Sequence, residues 1–178
     1  MRFAEIEINR LNDAGTALSK DDRAYVSFLD GGKWVRPWMK DHLNLRSPGW
    51  ERVNNRWEWT VPKTKGSLLV DEALKRGGTT VVNRVYSAKV KCTGSCKTAF
   101  GPDCECSCMG AHHGKGIDLD RATVTILDVP ELENLYLHRD YLEVKAVYVE
   151  GSLISREVKD LDGNYIPVPD NFVGIPEY

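Results

Sequence analysis

Every cysteine of this chain lies between Cys92 and Cys108, as Cys92, Cys96, Cys104, Cys106 and Cys108, with His112 and His113 directly behind. The segment reads C-x3-C-x7-C-x-C-x-C-x4-H and is punctuated by Gly94, Gly101, Gly110, Gly114 and Gly116. So many thiols in so short a stretch call for a bound inorganic centre, since thiolate and imidazole are strong ligands for zinc and for iron–sulfur clusters. Glycines suit a chain that must wrap closely around an ion, because they reach backbone conformations other residues avoid. Five is an odd number, so a disulfide framework leaves one thiol over.

The spacing bears on which metal. Sulfurs on one zinc, each at about 2.3 Å, lie within about 4 Å of one another. Residues two apart on an extended strand are separated by about 6.6 Å. Cys104, Cys106 and Cys108 therefore serve one zinc only if the chain curls; otherwise they serve two ions or a four-iron cluster. Zn2+ is the preferred cofactor and a [4Fe-4S] cluster the second, with unligated or redox-active thiols the remaining reading. The expected ligands are Cys92, Cys96, Cys104, Cys106, Cys108 and His113. This over-supplies one ion, which favours a closed structural site over a catalytic one with an open position. The H-x-E…C-x-x-C pattern of zinc deaminases is absent.

Cys92, Cys96, Ala99, Gly101, Cys104, Cys106, Cys108, Gly110, His113 and Gly114 resemble the cysteine-rich segment C-x3-C…A-x-G…C-x-C-x-C-x-G-x-x-H-G of uncharacterised bacteriophage and actinobacterial proteins. The resemblance is local to that segment. It implies a phage or bacterial origin and His113 rather than His112 as ligand, and it carries no reaction.

The second feature is aromatic. Trp34, Trp38, Trp50, Trp57 and Trp59 are all the tryptophans of the chain, interleaved with Lys33, Arg36, Lys40, Arg46, Arg52 and Arg56. Bases stack on aromatic rings while cations meet phosphates, so this pattern is expected of a surface for single-stranded nucleic acid. The candidate contacts are Trp34, Arg36, Trp38, Arg52, Arg56, Trp57 and Trp59. Tryptophan also fills cores, and Trp57 with Trp59 on one strand face fits that role equally. Arg36 and Trp38 flank Pro37 in an expected loop, which favours exposure.

Charge supports the same division. Residues 23–116 carry 16 basic and 8 acidic side chains, and residues 117–178 carry 5 and 13, within a net charge of −2. A basic middle suits a polyanion, and an acidic third suits a partner or solvent. No apolar run approaches the roughly 20 residues of a membrane span. The N-terminus reads as a strand rather than a leader, so a cytoplasmic protein (of the host, if phage-encoded) is expected.

Periodicity predicts an α+β fold, strand-rich and mixed, with about two helices and the cysteine loop inserted between strands. Strands are expected around Ala4–Ile8 and Arg23–Leu29, with a tryptophan-bearing hairpin turning at Asn54-Asn55. A helix capped by Ser67 should run to Arg76, stopped by Gly77, and a strand from Thr79 should lead into the cysteines. RATVTIL should form a strand, Pro130 should open a second helix, and EVKAVYVEG with SLISREV should close the fold as a hairpin. The chain reads as a single domain, 1–178, with a metal loop at 91–116 and an extended surface arm at 164–178.

Three functions follow as alternatives. The first is a metal-binding protein that engages nucleic acid through its basic, tryptophan-rich middle. The second is a metal- or iron–sulfur-dependent enzyme acting on a nucleotide or nucleic acid, with Glu105 or Asp118 near the metal. The third is a phage factor that inhibits a host protein. Nucleic acid and a host protein are thus the expected partners, with no membrane.

Overall fold

The computed structural model describes residues 5–9, 23–28, 32–53, 55–90, 109, 124–125, 128–170 and 172–174. Their order is β1 (Glu5–Asn9), β2 (Arg23–Phe28), α1 (Val35–Leu43), β3 (Gly49–Val53), β4 (Arg56–Pro62), a 3-10 turn (Lys63–Lys65) and α2 (Gly66–Arg76). There follow β5 (Thr79–Ser87), β6 (Val124–Thr125), α3 (Pro130–His138), β7 (Tyr141–Val149), β8 (Ser152–Lys159), β9 (Tyr165–Pro167) and β10 (Phe172–Gly174). Eight strands form one mixed sheet in the order β3-β4-β2-β1-β5-β7-β8-β9, and β10 pairs with β6. The fold is α+β and strand-rich. Among the described residues no helix is long and apolar enough to cross a membrane.

Contacts group the chain into two compact units: Met1–Arg84 with Ala146–Ile154, and Val85–Lys145 with Ser155–Tyr178. In the first, β1 pairs antiparallel with β2 and parallel with β5, so Ile8 stands opposite both Val26 and Val82. Ala24 stands opposite Val61 by the β2–β4 register. These residues share one face, and α1 and α2 cover it with Val35, Trp38, Met39, Leu43, Leu69, Val70 and Ala73, all buried. Burying an aliphatic side chain contributes roughly 1.5–3 kcal/mol, so this cluster is the main source of the unit's stability.

The expected loop around Pro37 is instead α1. Proline at the third helical position removes no hydrogen bond, because the first-turn N–H groups have no intrahelical acceptor. The helix then places Trp38 and Leu43 inward, and Asn44 ends it in the left-handed conformation with φ 51°. Ser67 does not cap α2 as expected: the helix runs on from the 3-10 turn with Lys65 at its N-cap and no side-chain cap bond, and Gly77 ends it with φ 75°. The two helices are joined by a polar clasp. His42 Nδ1–H donates to Glu72 Oε2 at 2.9 Å, Arg76 donates to His42 Nε2 at 2.6 Å, and the imidazole stacks on Trp38. The Lys75 ammonium, donating to the carboxylate at 2.7 Å, together with His42 holds the Glu72 carboxyl below its ordinary range.

Glycine is required at the start of β3. A Cβ on Gly49 would stand 2.0 Å from Thr60 Oγ1, and Thr60 is fully buried. We expect Gly49→Ala to lower the folding free energy by about 1–3 kcal/mol, the usual cost of overpacking, as read from its urea midpoint.

The second unit has its own core. Leu132, Leu135 and Tyr136 of α3 pack with Tyr86, Ala88, Leu142, Val144, Val158, Met109, Val168 and Phe172. Helix α3 begins at Pro130 as expected, with Glu131 and Glu133 in its first turn, where the helix dipole favours carboxylates. Strands β7 and β8 are joined by Glu150-Gly151, which groups with the first unit and has both residues at positive φ (50° and 78°), as a tight hairpin turn requires. The segment expected as a surface arm is different in kind. Tyr165–Pro167 extends the sheet as β9, Val168 is 5 % exposed, and Phe172 is fully buried. Pro167 ends β9, and Val168 and Phe172 face the core of this unit.

Candidate nucleic-acid interface

The cysteine loop at 91–116, with Cys92, Cys96, Cys104, Cys106, Cys108, His112 and His113, lies outside the described residues. Among the described residues, no group of three or more His, Cys, Asp or Glu is placed to hold a metal ion. Glu105, Asp118 and Asp120 also lie outside. Both flanks of the cysteine run are described. On one side, Ser87 Oγ accepts from the N–H groups of Lys89 and Val90, and Ala88 N–H donates to Asp140 O. On the other, Met109 is 1 % exposed and its carbonyl accepts from Arg156 Nη1 at 3.3 Å.

The tryptophans divide by burial. Trp38 is 5 % exposed in the core of the first unit, which corrects the surface role expected for it. Its position on the inward face of α1 explains why: a loop would have left it outside. Trp34 is half-buried and meets Phe28 edge-to-face, with ring centroids 5.6 Å apart. Trp59 is half-buried against the same core. Trp57, which fitted a core role on sequence grounds, is 58 % exposed, and Trp50 is 48 % exposed.

Strand register assembles the exposed indoles. In the β3–β4 pair Trp50 stands opposite Trp59, and Arg52 opposite Trp57. Opposed residues share a face, so all four side chains lie on one side of the sheet. Trp50 and Trp57 are parallel within 6°, with centroids 5.9 Å apart. Trp50 also packs on Trp59 at 4.6 Å, tilted by 55°. Since Trp59 stands opposite Val26, this row continues the helix-covered face of the first unit past its core. The indoles border a cleft of about 380 Å³, lined by Val26, Ser27, Phe28, Gly32, Trp50, Trp57 and Trp59.

The cations expected beside the tryptophans do not all join them. Arg52 is exposed and on the indole face. Arg56 is also exposed, but it alternates to the other face and interacts with Glu58. Arg36 is exposed on α1. Trp50, which borders the cleft, was not among the contacts expected from sequence. The cross-strand partner that marks it is readable once the Asn54-Asn55 turn is placed.

The other face is acidic. Glu58 stands opposite Glu51 in the β3–β4 pair. Burial, followed by the Glu7 carboxylate, pushes the Glu58 carboxyl above its ordinary value of 4.5, against the opposing pull of Arg56 and the Ser27 hydroxyl. A raised acid pKa means that its ionisation disfavours the fold. The full stability is present below the ordinary value and part is lost as pH rises through the raised one. Glu58→Gln should therefore stabilise the protein at pH 7 by about 0.2–1 kcal/mol, the range for relieving opposed like charges. The gain should vanish on acidification below the ordinary carboxyl range, which paired urea melts at the two pH values will show.

Compared with known protein families, curated proteins and solved structures, the chain matches none of them.

Proposed function

We propose that the chain binds single-stranded nucleic acid, stacking bases on Trp50 and Trp57 and meeting phosphate with Arg52. The carrying observation is a parallel pair of half-exposed indoles with a guanidinium on the same sheet face. Exposing so much indole costs favourable burial, and a ligand that covers it recovers that energy. Base faces suit this purpose, contributing roughly 1–3 kcal/mol each on an aromatic platform. A duplex buries its base faces, so single strands are the preferred form. The excess of basic side chains in residues 23–116 supports the same ligand.

The test is a titration of tryptophan fluorescence with an unstructured DNA oligomer at two salt concentrations. Quenching is expected, with affinity falling about 25-fold for each tenfold rise in salt if two phosphate contacts each release a counterion. Binding indifferent to salt, or no quenching, would refute the reading.

The proposal includes a metal held by Cys92, Cys96, Cys104, Cys106, Cys108 and His113, zinc in preference to a [4Fe-4S] cluster, with a structural role. Its support is the spacing of the ligands and the glycines among them. Protein purified without oxygen should be colourless and carry stoichiometric zinc. Replacing Cys104 and Cys108 together with serine should release that zinc and lower thermal stability. A brown protein containing iron would make the centre a cluster instead, and a metal-free protein would remove it from the proposal. The phage or bacterial origin implied by the cysteine segment belongs to the same reading.

A further inference from the structure

The cleft beside the indoles has a size and lining of its own. At about 380 Å³ it falls at the small end of ligand pockets. That volume accommodates one base with its sugar and excludes a run of stacked nucleotides. Both aromatic walls are braced. Phe28 is gripped edge-to-face by Trp34 at 5.6 Å and by Trp38 at 5.9 Å. Among the other lining rings, Trp50 is held between Trp57 and Trp59. Walls fixed before binding spare the ligand the entropy of ordering them.

We infer that this cleft receives a single unpaired nucleobase, the end of a strand or one extruded base, while the outer indoles and Arg52 hold its neighbours. The inference rests on the nucleic-acid reading above and adds a stoichiometry: one enclosed base per protein. Phe28 and the three indoles offer flat apolar contact, while the Ser27 hydroxyl is engaged by Glu58 on the other face of the sheet. An organic cation is the competing guest for an aromatic enclosure. Arg52 on the same face opposes one. Purines overlap an indole more than pyrimidines do, so an adenine nucleotide should bind more tightly than a cytosine nucleotide.

Gly32 provides the test. It lines the cleft and a Cβ built there meets the Trp34 ring at 3.4 Å, so a larger side chain can be added at the cleft wall without removing an indole. Fluorescence titrations with AMP, an oligodeoxyadenylate and choline are to be compared for the parent and Gly32→Leu, with Gly32→Val as the smaller plug should leucine prevent folding. AMP should quench the parent, and the plug should weaken AMP by about 5- to 150-fold, the value of one stacked base. The oligomer should still bind the plugged protein through Trp57 and Arg52. If the oligomer binds but AMP does not, or the plug leaves AMP unaffected, the one-base cleft is overturned while the platform stands. If neither ligand binds the parent, both readings fall. Tighter binding of choline than of AMP would overturn the inference in favour of a cation cage.

Discussion

Replacing Trp57 with alanine should weaken binding of a single-stranded DNA oligomer by about 5- to 150-fold, equivalent to about 1–3 kcal/mol for one lost stacking partner. The effect on folding should be small. Trp57 is 58 % exposed and its described ring contact is the parallel stack on Trp50, so its loss should cost no more than about 1.5 kcal/mol. Trp38→Ala is the contrasting variant. Trp38 is 5 % exposed beneath Phe28 and His42, and truncating it should cost about 3–5 kcal/mol of stability. Affinity measured by anisotropy of a labelled oligomer and stability measured by urea melts separate the two. Wild-type affinity in Trp57→Ala would remove the indole platform from the proposed function. A loss of affinity that only followed unfolding would do the same.

Arg156→Ala should destabilise the second unit by about 1–3 kcal/mol. Arg156 is 4 % exposed, and its guanidinium donates to three backbone carbonyls: Met109 at 3.3 Å, Pro169 at 3.1 Å and Asp170 at 3.3 Å. Met109, at the exit from the cysteine run, lies far in sequence from the adjacent Pro169 and Asp170 in the link between β9 and β10. Removing the guanidinium strips the buried Met109 carbonyl, and two partly buried ones, of a charged donor, and a buried group left unsatisfied costs about 1–3 kcal/mol. Lysine should recover only part of the loss, because one ammonium cannot reproduce the planar fork that reaches several carbonyls. Hydrogen exchange is the suitable readout, since all five tryptophans lie in the first unit. Amides of Leu142 and Val144 should lose protection in Arg156→Ala, whereas parental protection there would show that the guanidinium adds nothing to the fold.

Much of the fold was legible in the order of residues because local rules and tertiary packing agree. The β3–β4 hairpin follows from Asn55 adopting φ 64°, a conformation asparagine tolerates. Helix α2 follows from Gly77 as its stop, and α3 from Pro130 at its start. Helix α1 was not legible, because Pro37 carries opposite meanings: a breaker inside a helix, but acceptable in a first turn. How Val168 and Phe172 pack was not legible for a related reason. The prolines of the C-terminal segment describe local backbone, and only the packing of α3 against β7 and β8 creates a place for Phe172.

The indole platform shows the same boundary. Alternation along RWEWTVP puts Trp57 and Trp59 on one face, and no fold could separate them while that strand stands. Which of the five indoles meets solvent was decided elsewhere. The helices cover the sheet as far as Trp59, and their cover does not extend to Trp50 and Trp57. Strand period is a property of the backbone and so belongs to the sequence alone. Burial depends on what arrives from distant parts of the chain, and the covering helices are contributed by residues on both sides of the hairpin.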